Sequence, residues 1–402
     1  MADVPQIPNA DLAVARYGQA GRDWIAGTQI ADPVADAVVA DFAALPRGAG
    51  MTMLQAALQH GIDSVDSPPE SLRVLFDEID HEPDWLDHAR LDRAAGHLVR
   101  HTASYGTVLG AASLTSGAMN SVAGMPLVLT GRYTSQAAVR SIEVGAWLQS
   151  ILTPGGLRRY GAGVATTVRV RMIHAFVRRH LLTETDWDSD AWGTPIPQSY
   201  MAFTIVEFGR IALAAMHQLG VRYTREELDD IYHLWRYVGL LNGVSHELNP
   251  ASEADQIRIA ELYALTAVEP NEDDRDFVRA LTHDYLAPEI AELLPFGGSW
   301  KHRVGVHIIN GMTRAFLGDA NASRLGVADT PFKYLPRVIG PAVGGVNRVL
   351  ALIPGVNELR TRRALANYPQ LMADQRQRYG IDHDLVDAAP DTGGHPAAVR
   401  SA

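Results

Sequence analysis

The segment from Val168 to Leu181, VRVRMIHAFVRRHL, holds the side chains best placed to do chemistry. Written on a helix, Val170, His174, Val177 and Leu181 recur at i, i+4, i+7 and i+11, which sets His174 in the middle of an inward apolar stripe. Arg171, three residues before it, and Arg178, four after, flank that same side. A neutral imidazole in apolar surroundings with cations at its rim suits a ligand whose centre is a metal and whose edge is anionic. Haem b has that layout: the iron takes the imidazole and the propionates take arginines. On spacing alone an alternative stands beside it, a core histidine satisfied by a backbone carbonyl, with the arginines reaching to solvent.

A second helical pattern, Gln136 to Ile151, puts Arg140, Glu143, Val144, Trp147 and Ile151 on one face. Two opposite charges interrupt an otherwise apolar surface, and burying them is costly unless they pair with each other or with a ligand. Pro154-Gly155-Gly156 ends this helix and permits a close antiparallel return. Arg140 and His174 are therefore expected to face each other across one cavity.

These residues carry a resemblance. The run TGR (Thr130 to Arg132), Arg140, the Pro154-Gly155-Gly156-Leu157 turn, Gly161 and Gly163, and VRVRMIHAFVR (Val168 to Arg178) resemble the MpaB/latex-clearing-protein family of haem b oxygenases. Trp192-Gly193-Thr194-Pro195-Ile196-Pro197-Gln198 is similar to the family's W-G-x-P-I-x-Q segment, and His233 to Arg236 with Gly239, Gly243-Val244 and Pro250 to its later helix. The likeness covers roughly residues 30 to 320; its most specific element is VRxxHAxVR with an arginine 34 positions upstream of the histidine.

The resemblance implies a globin-like helical core that holds haem b without covalent attachment, with His174 as the iron ligand and Val144 beside the cofactor. Arg140 would orient a propionate or polarise distal oxygen, and Arg171 or Arg178 would neutralise the other propionate. Rubber oxygenases cleave the double bonds of polyisoprene with dioxygen, and the fungal relative cleaves a prenyl side chain. The expected partners are thus dioxygen and an apolar, isoprenoid-like olefin. Two departures stand out. Where rubber oxygenases have a lysine and a threonine, three and four residues after the arginine, this chain has Glu143 and Val144; and the place of their catalytic glutamate falls near Gly124. Glu143 in an apolar pocket would have a raised pKa and could shuttle protons in the lysine's stead. The expectation is a haem b oxygenase; the alternatives are a haem-binding or sensor protein without turnover, and a haem-free scaffold.

The elements that must position these residues are helices. Apolar periodicity is helical at about 89–117, 134–152, 161–182, 198–218, 225–243 and 251–265, with more beyond 273, and no alternating runs suggest a sheet. Breakers such as Pro68-Pro69, Gly193-Thr194-Pro195 and Asn249-Pro250 separate them, and no low-complexity linker divides the series. The expected fold is all-α, one large helical domain: an extension over 1–30, the catalytic domain over 31–320, C-terminal helices packed on it over 321–378, and a frayed or disordered tail over 379–402. The apolar stretch Tyr334 to Val356 is long enough to tempt a membrane assignment, but Arg337, Asn347 and Arg348 with three prolines and four glycines argue against a span. A packed core segment is expected over a peripheral surface helix; membrane contact is open but not required.

Composition removes other chemistries. The absence of cysteine excludes disulfides, cysteine-ligated zinc, iron-sulfur clusters, thiolate haem and cysteine nucleophiles. With 35 Lys+Arg against 46 Asp+Glu the net charge is −11, and no basic block offsets it, so nucleic acid is not an expected partner. The polar start lacks a signal-peptide pattern, which predicts a cytoplasmic protein. His97-x-x-x-His101 has zinc-pair spacing but no glutamate between; Glu78-x-x-His81 is half of a di-iron motif without a second copy; Asp186, Asp188 and Asp190 form a polar connector.

Overall fold

Polar caps fix where the helices begin. Asp32 accepts a hydrogen bond from the Ala35 amide ahead of Pro33, Asp87 accepts from Ala89 and Arg90, and Thr224 forms a reciprocal capping box with Glu227. In the computed structural model, which describes residues 7–131, 136–295 and 297–381, the main helices are α1 (Gln19–Gly27), α2 (Pro33–Ala43), α3 (Glu70–Asp80), α4 (His88–Val99), α5 (102–117), α6 (Ala137–Ile151), α7 (Ala162–Glu184), α8 (Gln198–Gln218), α9 (Arg225–Leu241), α10 (Glu253–Thr266), α11 (Trp300–Leu317), α12 (Leu335–Ala351) and α13 (Val356–Arg378). Further helices, among them Ala49–His60 and 272–293, join them, and no strand occurs among the described residues. The all-α expectation holds, and helix limits fall within about three residues of those read from periodicity. One difference is that 89–117 is two helices, broken at Arg100 and His101.

The helices close around a core that includes Trp24, Phe76, Trp235, Leu75 and Met172, all buried. α2 and α6 lie along α7, and α4 lies along α9. α8 is apolar enough to cross a membrane, yet two-thirds of it is buried inside the protein, which makes it a central core helix. Wider π-helical turns interrupt three helices, at Leu109–Leu114, Glu207–Ile211 and Leu281–Leu286.

Residues 1–30, read from the sequence as an N-terminal extension, pack on the body of the protein where they are described. Trp24 is fully buried, donates from Nε1 to Thr266 Oγ1 at 2.9 Å and meets the Tyr263 ring edge-on. At the other end Tyr368, Met372 and Ile381 pack with Val99 and Ile142, so order runs to residue 381; the rest of the expected tail lies outside the described residues. The stretch 334–356 departs from expectation. It forms α12 and the turn into α13, but Val338, Val346, Val349 and Leu352 are exposed, and only Pro336 and Gly340 of α12 are buried. Gly340 and Gly344, with Pro336 and Ile339, make its contact with the body of the protein, while most of its valines face outward.

Candidate functional site

The site is built on the α6–α7 hairpin. Gly155 turns the chain with φ of +79°, and the Gly156 carbonyl accepts from the amides of Gly163 (2.9 Å) and Val164 (3.2 Å), capping the start of α7. A Cβ on Gly163 would lie 2.8 Å from the Gly156 oxygen and 3.0 Å from Ile151 Cα, so glycine is what lets the helices meet there. Trp147 Nε1 donates to Thr167 Oγ1 at 3.0 Å, and Ser150 and Thr166 hydroxyls are 2.7 Å apart. These bonds set the antiparallel register. Seven residues, two turns, back from Trp147 is Arg140, and seven forward from Thr167 is His174. That register sets Arg140 and His174 at matching positions on the two helices, and the Arg140 charge acts on the imidazole.

His174 sits half-buried on the inward stripe of α7. Its side chain keeps some accessible surface, as do Val170 and Val177 on the same stripe, whereas Arg171, Met172, Ala175 and Arg178 on the flank are buried. Yet burial, followed by the cations Arg178 and Arg140 and opposed by Asp32, pushes the imidazole down to about 4. Its Nδ1 is buried without a hydrogen-bond partner. The alternative of a histidine satisfied by a backbone carbonyl is therefore not what the structure contains. Across the hairpin Arg140, Glu143, Val144 and Trp147 are likewise half-buried, while Ile151 closes the far end as core. Arg140 and Glu143 each have interactions of their own. Arg132 of the TGR run lies outside the described residues.

The two flanking arginines go elsewhere, which corrects the propionate role expected of them. Arg171 is bidentate to Asp32, with Nε to Oδ2 at 2.6 Å and Nη2 to Oδ1 at 2.9 Å, and Nη2 also reaches Glu78 Oε2 at 2.9 Å. Burial disfavours its charge, and Asp32 and then Glu78 outweigh that and raise its pKa. Arg178 donates to the carbonyls of Pro195 and Ile196, each at 2.9 Å, and pairs with Asp36. Both guanidiniums are consumed in fastening α7 to α2, α3 and the 193–198 strap. That strap is the W-G-x-P-I-x-Q segment: Gln198 holds the carbonyls of Ala31 and Gly243 and the amide of Ser245, and a Cβ on Gly243 would collide with the Asp32–Arg171 pair.

The other histidine and carboxylate spacings are structural. His97 faces Glu227 and Arg100, while His101 packs edge-on against Tyr223; Glu78 serves Arg171, and Asp188 caps a short helix. Among the described residues no three His, Asp or Glu gather as a metal site. A groove of about 410 Å³ lies away from the hairpin, between α8, α10 and α11, with Phe203, Arg210, Tyr263 and Phe316 in its walls.

Sequence reasoning missed Glu207. It opens the π-helical turn of α8, is buried, and its carboxyl is pushed up to about 8 by that burial. Gly117 leaves the room: a Cβ there would sit 2.5 Å from Glu207 Oε1. The wide turn frees backbone carbonyls, and Ser113 donates to that of Glu207 (2.6 Å) and Tyr105 to that of Phe208 (2.7 Å). Phe208 in turn touches Trp147, with ring centroids 5.1 Å apart, so this turn packs against the α6–α7 hairpin. A lone acid inside the apolar run MAFTIVEFGRIALAAM was the available signal.

Comparison with known proteins bears on this arrangement. Residues 99–340 match the family model described as ER-bound oxygenase mpaB/B'/rubber oxygenase, catalytic domain. A curated relative, the rubber oxygenase of Streptomyces sp. (strain K30), is 28% identical over 191 residues, 46% of each chain; the chain thus spans about half the length of that relative. The fold is similar to a solved structure of latex clearing protein LCP in the closed state, with a TM-score of 0.61 and 21% identity over 84% of this chain and 88% of that one.

Proposed function

The chain belongs to the mpaB/rubber oxygenase catalytic-domain family, and from that membership we propose that it is a haem b-dependent oxygenase that acts with dioxygen on an apolar, isoprenoid-like olefin. The observation that carries the cofactor assignment is His174: a neutral imidazole on a half-open apolar stripe, with its Nδ1 unpartnered, opposite a guanidinium. Those residues fit a haem. His174 would hold the iron, Arg140 would hold a propionate or the distal ligand, and Val144, Val170 and Val177 would bound the ring. When bound, the haem supplies dioxygen binding and oxidation, chemistry no side chain of this chain provides.

The protein's own share is placement. The valines and Trp147 exclude water and favour an apolar substrate. Arg140 sets a fixed positive charge where an oxygen ligand or carboxylate would lie. Glu143, one turn from Arg140, is proposed to serve as a proton-transfer group in the place of the family's lysine.

Absorption spectroscopy tests the reading. Protein reconstituted with haem should show a Soret band that His174→Ala loses or shifts, and an unchanged spectrum in that variant would overturn the ligand assignment. Oxygen uptake with a prenylated substrate separates an oxygenase from a haem-binding protein without turnover. Glu143→Gln should keep the band and depress uptake.

A further inference from the structure

The most distinct surface outside the α6–α7 hairpin is α12. Tyr334, Val338, Val346, Val349, Leu352 and Ile353 are 48 to 79% exposed. Counted from Val338, the positions Ala342, Gly345, Val346, Val349, Leu352 and Ile353 fall at +4, +7, +8, +11, +14 and +15, one continuous helical face of apolar residues. The opposite face carries Gly340 and Gly344, which seat directly on the end of α8: a Cβ on Gly220 would lie 2.1 Å from the Gly340 oxygen. The helix is thus seated by its glycines, Pro336 and Ile339, with its valines turned outward, an arrangement that costs hydrophobic exposure unless something covers it.

Charge says what covers it. Arg337 and Arg348 each precede a stripe valine by one residue, about 100° round the helix, and both are exposed on that same edge. Arg337 lies against the Tyr334 ring, 5.9 Å from its centroid. From Lys333 to Arg363 there are six basic residues and one acidic residue, Glu358, a net of +5 in a chain whose net charge is −11. The apolar face is therefore bordered by a locally basic segment in a chain that is acidic overall. A second copy of this chain seated face to face would bring the two arginine edges together. A bilayer of anionic lipid matches both features, taking the valines into the acyl boundary and the guanidiniums at the phosphates.

We propose that α12 and its turn into α13 form an in-plane membrane anchor that docks the protein on anionic lipid without spanning it. This does not depend on the cofactor assignment. The turn, where α12 and α13 bend by 110°, presents Leu352 and Ile353 as the leading apolar edge.

Flotation of the full-length protein with vesicles decides it. The protein should float with phosphatidylcholine vesicles containing phosphatidylglycerol, less so as salt is raised. Val346→Glu with Val349→Glu should weaken the partition about ten-fold or more. Arg337→Glu with Arg348→Glu should abolish the preference for anionic over neutral lipid. Because all four side chains are exposed, the thermal midpoints should match wild type. Wild-type protein that stays unbound at every lipid concentration, or a valine variant that floats undiminished, would overturn the proposal. So would a stable dimer in light scattering that the valine variant dissociates, which would assign the face to copy–copy contact.

Discussion

Glu207 carries a proton at neutral pH because burial withholds solvation from its charge, moving its carboxyl from 4.5 to about 8. Between those values the folded chain binds a proton that the unfolded chain releases. Its contribution to stability is full below the unfolded value, declines as pH rises, and is lost above about 8. Thermal unfolding across this range should show Glu207→Gln lacking a decline with pH that wild type has, on the order of a few kcal/mol at the alkaline end; identical profiles would remove the buried proton from the account. Arg171 offers a second test. Its partner Asp32 is buried, so Asp32→Asn should cost about 3 kcal/mol or more in urea unfolding, by leaving a guanidinium short of its counter-charge. Glu78, whose side chain is 46% exposed, should cost under about 1 kcal/mol as Glu78→Gln. Equal losses would mean that burial does not set the strength of this network.

At the level of elements, the α6–α7 hairpin depends on backbone proximity. Gly163→Ala would force a methyl against fixed main-chain atoms of residues 150, 151 and 156, and should cost about 1–3 kcal/mol while perturbing the tryptophan fluorescence of Trp147. A variant with wild-type stability and fluorescence would show that the hairpin has slack. This is also the part of the molecule most legible in the sequence. Periodicity and breakers place the helices, and the glycine-rich turn together with the stripe positions puts Arg140 and His174 on the two arms of one hairpin. What periodicity cannot supply is the partner from far along the chain. It puts Arg171 and Arg178 on the correct flank, but Asp32 and Asp36 stand about 140 residues away, and only the tertiary fold shows that this flank is sealed. The π-helical turn that buries Glu207 is invisible for a related reason: a one-residue widening leaves the apolar pattern of α8 almost unchanged. The valines of α12 read as core because hydropathy reports a wish to leave water and not the medium entered.

For the whole molecule, a ligand that binds only the folded state raises its melting temperature by mass action. Added haem should therefore raise the thermal midpoint of wild type and leave that of His174→Ala little moved, a readout independent of turnover; equal shifts would place the binding elsewhere. The carboxylate fastenings of α7 have a practical corollary for anyone dissecting the gene. The family match opens at Val99, whereas Asp32, Asp36 and Glu78 are encoded upstream of it. A fragment cut to the match would contain His174, Arg140 and Glu143, yet strand two interior cations with no anion to answer them. Such a fragment should come out of cells as inclusion bodies, and co-expression of the missing first hundred residues is the natural way to recover it.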